Sequence, residues 1–121
     1  MKKSSADKDA YSKVLTEYLG KKVNVIVDRP IGFHHKGLIY PINYGYIEDL
    51  TAPDGEYQDA YVLDAQEKEK EIRGTVVAII RREEDVEDKL VVMVNPKPIS
   101  VEEIEKAVYF VERYFPHHIE K

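Results

Sequence analysis

The stretch 40-YPINYGYIEDLTAPDGEYQDAYVLD-64 decides how this chain is read. Tyr40, Tyr44 and Tyr46 run through a segment broken by Pro41 and Gly45, and a turn bearing Asp54, Glu56 and Asp59 follows. In an extended chain alternate side chains share a face, so the three tyrosines can present phenolic hydroxyls together, as donors to phosphate oxygens. The competing reading is core packing with the hydroxyl at the surface, the commoner fate of strand tyrosines. The acidic turn is open in the same way: a solvated tip, or oxygen ligands for a hard divalent cation.

Outward from this stretch the pattern is mostly β. Val23, Val25 and Val27 alternate with Lys22, Asn24 and Ile26 up to a turn at Asp28-Arg29-Pro30-Ile31-Gly32, which reads as a strand. FHHKGLIYPINYGYIEDL reads as short, bent strands, AYVLDA from Ala60 as another, and the apolar run Val76 to Ile80 in GTVVAIIRR as a buried one. EEDVED is expected as a polar loop before the strand KLVVMVN. At the start, SADKDAYSKVLTEYLG reads as a helix that turns Tyr11, Val14, Leu15, Tyr18 and Leu19 inward and ends at Gly20. At the end, Ser100 with Glu103 makes a capping box ahead of Val101, Ile104, Ala107, Val108, Val111 and Phe115 on one face, with Pro116 as the stop. His117 and His118 then read as a frayed tail. Strands between two amphipathic helices, without helix–strand alternation, predict an α+β, mainly β fold: a small closed or sandwich-like barrel with an N-terminal and a C-terminal helix packed outside.

The bulk numbers bound the function. A chain of 121 residues fits one domain, 1–121, and 43% apolar with 34% charged side chains suits a soluble protein. No apolar run reaches the roughly 20 residues of a membrane span, and no apolar stretch follows the lysines of the N-terminus, so export is not expected. The absence of cysteine fits a cytoplasmic protein. A formal charge of −5 with no basic cluster argues against nucleic acid as a partner, and makes cations the natural mediators of any contact with a small phosphorylated anion.

Nucleophile elbows, glycine-rich phosphate loops and HExxH or cysteine zinc patterns are absent from the sequence. What remains is acidic: the turn of Asp54, Glu56 and Asp59, and a second loop with Glu83, Glu84, Asp85, Glu87 and Asp88. If the two loops converge they supply the all-oxygen environment that magnesium or manganese prefers. His34 and His35, adjacent in an extended segment, point to opposite faces and cannot share a ligand.

YPINYGYI followed by DGEYQDAYVL resembles the soluble family I inorganic pyrophosphatases, in which a Tyr-Pro-x-Asn-Tyr-Gly segment leads into an Asp-Gly-Asp-Pro-x-Asp signature. The likeness continues through IIRREEDVEDKLVVMV and YFVERYF and covers most of residues 23 to 115. It implies a five-stranded OB-like barrel with outer helices and hydrolysis of pyrophosphate, or of a related phosphoanhydride, by a metal-activated water. The cofactor would be Mg2+, with Mn2+ as an alternative. By the same resemblance Asp54, Glu56 and Asp59 bind metal, with Glu56 where the family keeps the aspartate that helps activate the water. Asp85 or Glu84, and Asp88, supply the second acidic group. Lys89, Tyr44 and Tyr114 contact phosphate, Tyr40 belongs to the same wall, and Arg29 is the nearest counterpart of the family's arginine, with Lys36 a weaker one.

The departures are specific. The middle aspartate is the longer Glu56, the family's lysine-x-glutamate falls on Asn24 and Ile26, and Phe115 stands where a phosphate-binding lysine follows the tyrosine. The acidic half is thus kept and the cationic half thinned, so a weakened module that binds a nucleotide or phosphorylated metabolite is the alternative to a pyrophosphatase. Self-association is left open by the sequence.

Overall fold

In a computed structural model, residues 5–85 and 87–121 are described. The lysine-led start at 1–4, and position 86 in the acidic loop, lie outside the described residues. Helix α1 (Ser5–Glu17) precedes β1 (Lys22–Arg29), the short hairpin β2 (His34–His35) and β3 (Leu38–Ile39), and β4 (Asn43–Thr51). After β5 (Tyr57–Val62), β6 (Glu71–Arg82) and β7 (Lys89–Met93) come α2 (Val101–Glu112) and β8 (His117–Glu120).

Five strands close on themselves in the order β1-β4-β5-β7-β6 and back to β1, antiparallel except for the parallel β5–β7 pair. This is the expected five-stranded barrel with both helices outside the strand layer. Closure gives every strand two faces with different partners. Inward, Val23, Val25, Ile47, Val62, Ile79 and Leu90 are essentially removed from water, and Tyr11 and Leu15 of α1 join them. Outward, Tyr44, Tyr61, Ile80 and Val91 pack beneath Ile104 and Val108 of α2. Each aliphatic side chain so buried stabilises the fold by about 1.5–3 kcal/mol before its lost entropy is counted.

At Gly45 the backbones of β4 and β1 approach closely. A methyl group placed on Gly45 would sit 1.9 Å from the Ile26 carbonyl oxygen and 2.9 Å from Val27 Cα. Beside it the register slips: Val27 pairs with Gly45 while Arg29 pairs with Tyr44, so Asp28 is the extra residue of a bulge. The glycine in YPINYGYI is therefore required by contact, and the bulge re-aims Asp28 and Arg29 toward the tyrosine strand.

The capping box forms as expected: Ser100 Oγ accepts from Glu103 N at 3.1 Å, and a Glu103 carboxylate oxygen accepts from Ser100 N at 3.1 Å. Elsewhere the helices differ from expectation. Val14 and Val101 are solvent-exposed, and α2 ends at Glu112, so Phe115 leaves its apolar face and lies with its ring 3.9 Å from the Arg82 guanidinium carbon. The buried residue at that end of α2 is Glu112, which accepts from Arg82 Nε at 2.8 Å, Arg82 Nη2 at 2.7 Å and Tyr61 Oη at 2.6 Å. Two donors in a fork geometry make this buried carboxylate tolerable. His117 and His118 are not frayed; they begin β8, which pairs antiparallel with β6 opposite Arg82 and Arg81. The acidic loop is not wholly solvated either, since Glu87 and Asp88 are buried.

Gly45→Ala is expected to lower unfolding free energy by at least about 3 kcal/mol, because the obstacle is backbone and cannot rotate away. Urea denaturation measures it; a loss below about 1 kcal/mol would show that β1 and β4 separate easily.

Candidate active site

The site grows out of strand alternation. Tyr57, Asp59 and Tyr61 share the outer face of β5. Across the ladder on β4, Tyr46 stands opposite Asp59 and Tyr44 opposite Tyr61. On the other side of β5, Lys89 opens β7, with its ammonium 2.6 Å from Asp59 Oδ2 and 3.5 Å from Glu87 Oε1. The Asp59 backbone N–H donates to Glu87 Oε2 at 3.3 Å. Asp59, Glu87 and Lys89 thus form one ionic cluster.

Tyr44 sits at the centre of the face. The Arg29 guanidinium carbon is 5.5 Å and the Lys89 ammonium 5.9 Å from its ring centroid, so two cations flank one aromatic ring. Arg29 is held in place by Tyr40, whose hydroxyl accepts from Nη1 at 2.7 Å. Tyr40 in turn packs edge-on to Tyr44 and Phe110. Burial pushes the Tyr44 hydroxyl well above its usual range, and the Asp59 carboxylate, to which it is hydrogen-bonded, pushes the same way. Tyr44 is therefore a protonated donor throughout the neutral range. Both readings of the tyrosines hold at once: Tyr40 and Tyr44 are packed in the core, and their hydroxyls are engaged with Arg29 and Asp59.

Charge on this face is under-compensated. Glu87 is pushed up to about 7, first by burial and then by the negative charges of Asp59 and Asp54, against the opposing pull of Lys89. Asp28 is also raised, chiefly by desolvation, with Asp59 adding to it. The tip carrying Asp54 is shaped by an Asx turn in which Asp54 Oδ1 accepts from Glu56 N at 3.0 Å, with Gly55 at φ 90°. Asp54 and Glu56 are both exposed there.

The structure sorts the expected site residues. Asp54, Asp59, Lys89, Tyr44, Tyr40 and Arg29 fall on or beside one face. Asp88 does not: it follows Glu87 and precedes Lys89, so it faces the other way, where its carboxylate accepts from Arg82 N at 2.8 Å and meets Arg81 Nη1 at 3.3 Å. The acidic group that alternation delivers to Asp59 is Glu87 instead, and the spacing Glu87-x-Lys89 ahead of a strand was the signal for it. Asp85 is turned to Arg82, 3.2 Å from Nη1. Glu84 and the exposed Tyr114 line a separate cavity of about 270 Å³ with Arg82, Phe115 and Pro116. The histidine pairs join no ligand cluster: His117 contacts Glu105 at 2.9 Å, and His118 lies 3.5 Å from Glu83.

Beneath the face a buried network fixes both acidic segments. Tyr11 of α1 donates to Gln58 Oε1 and accepts from Asp88 N at 3.1 Å, while Gln58 Nε2 donates to the Asp88 carbonyl at 2.6 Å. Gln58 immediately precedes Asp59 and Asp88 immediately precedes Lys89, so this network ties the two segments together. No local pattern pointed to it, because its members are far apart in sequence.

As donors, Asp54, Asp59, Glu87 and Asp28 are all hard oxygens, and Glu87 and Asp28 are raised first by burial and then by neighbouring negative charge, a cost that a cation would relieve. That chemistry fits a divalent metal. Among the described residues no three histidine or acidic side chains stand together as a ready-made metal nest, and Lys89 is the cation the carboxylates share.

Matches come from structure and not from sequence: no model of a protein family and no curated protein matches the chain. An inorganic pyrophosphatase of Ehrlichia chaffeensis superposes with a TM-score of 0.65 at 18% identity, over 85% of this chain and 87% of its own. One from Coxiella burnetii gives 0.60 at 20% identity, over 84% of each chain. That of Thermus thermophilus gives 0.57 at 15% identity, over 83% of this chain and 79% of its own. The chain therefore has the barrel fold of these bacterial family I enzymes.

Glu87 gives a signed pH dependence. Its folded threshold near 7 lies above the ordinary value of 4.5, so between these the folded state holds the extra proton. Its contribution to stability is therefore greatest below about pH 4.5 and falls as pH rises toward 7. In chelator-treated protein, Glu87→Gln is expected to flatten that decline, read as melting temperature against pH. An unchanged slope would remove Glu87 as its source.

Proposed function

We propose that this face hydrolyses a phosphoanhydride, with inorganic pyrophosphate as substrate and Mg2+ as cofactor, Mn2+ serving as the substitute. The observation that carries the reading is the single cluster of Asp59, Glu87 and Lys89 with Tyr44 and Arg29 at its side, on the barrel shared with pyrophosphatases. Asp54, Asp59 and Glu87 are the residues that would hold the ion, with Glu56 at the tip of the same turn. Bound there, the cation would neutralise phosphate charge and lower the pKa of an attacking water.

The chain's own groups have separable tasks. Lys89 and Arg29 oppose the charge of the anion, and Tyr44 donates a hydrogen bond from a hydroxyl that stays protonated. Glu87, buried beside Asp59 and Lys89, would be held ionised by the cation and help fix the attacking water, and the proton released as water oxygen bonds to phosphorus and the bridging P–O bond breaks toward the leaving phosphate would pass to solvent. Glu56 is exposed, so the role the resemblance gives it passes more naturally to Glu87. Tyr114, beside Phe115, belongs to the neighbouring cavity.

The second reading is a binding module that holds a nucleotide or phosphorylated metabolite without turnover. It is favoured by one observation: Asp59 is already neutralised by Lys89 at 2.6 Å, which an incoming ion would have to displace. Either activity fits one domain spanning 1–121 in the cytoplasm. Among the described residues no helix is long and apolar enough to cross a membrane. Homo-oligomers are compatible with both readings.

Phosphate release from pyrophosphate, measured with Mg2+ or Mn2+ and after chelation, separates them. Metal-dependent turnover that falls by at least about 100-fold in Asp59→Asn is expected, in line with loss of a residue that organises charge in the transition state. Folded protein that binds pyrophosphate with metal but releases no phosphate would establish the binding module instead.

A further inference from the structure

One aromatic group on the active face is left over. Tyr57 opens β5 two residues before Asp59, on the same side of the strand, which puts their Cα atoms about 6.6 Å apart. Its ring stacks on Tyr46 with centroids 5.5 Å apart and an interplanar angle of 12°. Tyr46 itself stands opposite Asp59 on β4, so the stacked pair adjoins the ionic cluster.

Tyr57 does no evident work for the core. It is 47% exposed, makes no side-chain hydrogen bond among the described residues, and belongs to neither buried apolar cluster. The resemblance marks the position as unusual, since the acidic signature has proline there. Proline would leave the turn intact and remove the ring. What the sequence supplies instead is a flat aromatic surface, braced from behind by a second ring, at the rim of an anion-binding face.

Such a surface suits a planar heterocycle. A nucleobase joined through one ribose to a diphosphate has the matching layout: phosphates on Arg29, Lys89 and Tyr44, and the base on the Tyr57 ring. We propose that this face also takes a nucleoside diphosphate, whose base stacks on Tyr57. The inference rests on the anion-site reading above and adds nucleoside diphosphates to the ligands of that site. Base–aromatic stacking tolerates any base, so preference is for the presence of a base and not for its identity.

The test compares two non-hydrolysable ligands by calorimetry, on the whole chain with Mg2+: methylenediphosphonate and α,β-methylene-ADP. The nucleotide analogue is expected to bind about tenfold tighter, a gap within the range of one base–aromatic stack. Tyr57→Leu should erase that preference and leave diphosphonate affinity unchanged, and Tyr57→Phe should keep it. A melting curve confirms that each variant is folded. Equal affinity of the native chain for the two ligands would overturn the inference, as would a preference that survives Tyr57→Leu. In both cases retained diphosphonate binding leaves the anion site standing. Binding of neither ligand would overturn the anion site and this inference together.

Discussion

The contact between Gly45 and the backbone of β1 is the constraint on which the rest depends. With no side chain at Gly45, β4 can lie against Ile26 at a distance that any other residue would forbid. That approach closes the barrel on its tyrosine side and makes room for the bulge at Asp28. Two consequences reach the face that carries Asp59 and Lys89. Tyr44 and Tyr46, flanking the glycine, turn outward together, and Arg29 comes to lie over the Tyr44 ring. One missing methyl group thus links the fold to the placement of a cation.

Closure also explains how a thin strand layer supports charge on one side. Lys89 is largely removed from water by neighbours that are either apolar or already paired, while Asp59 stays half-exposed beside it. Below them, Tyr11, Gln58 and Asp88 complete their hydrogen bonds with one another. At the far edge of the same outer layer, Glu112 is satisfied by Arg82 and Tyr61. Among the described residues no buried polar side-chain atom lacks a partner. Polar groups satisfied in this way are fixed by the fold itself. Glu87 bears the cost of this arrangement, since burial beside Asp59 pushes it up to about 7.

What the sequence made legible was local. The glycine and tyrosine spacing of YPINYGYI, the turn after Ala52 and the capping box at Ser100 each depend on residues a few positions apart, and each appears in the fold as read. Long-range features were hidden. β8 pairs through its backbone, so HHIE carried no signature of a strand. Glu112 looked like the polar end of an amphipathic helix because its partner Arg82 lies 30 positions away. The sidedness of Glu87 and Asp88 was hidden for another reason: both are acidic, and only the start of β7 at Lys89 fixes which of them shares a side with Asp59. Of the candidate site, then, the residue types and the two loops were readable, and the sidedness within the second loop was not.

The most direct test is a crystal structure with Mg2+ and imidodiphosphate, the pyrophosphate analogue whose bridging oxygen is replaced by nitrogen. The arrangement described here predicts metal density against the carboxylates of Asp59 and Glu87, with Lys89 released from Asp59 and turned, with Arg29, to the analogue's oxygens. An intact Lys89–Asp59 pair, with the analogue absent or bound on another face, would contradict it.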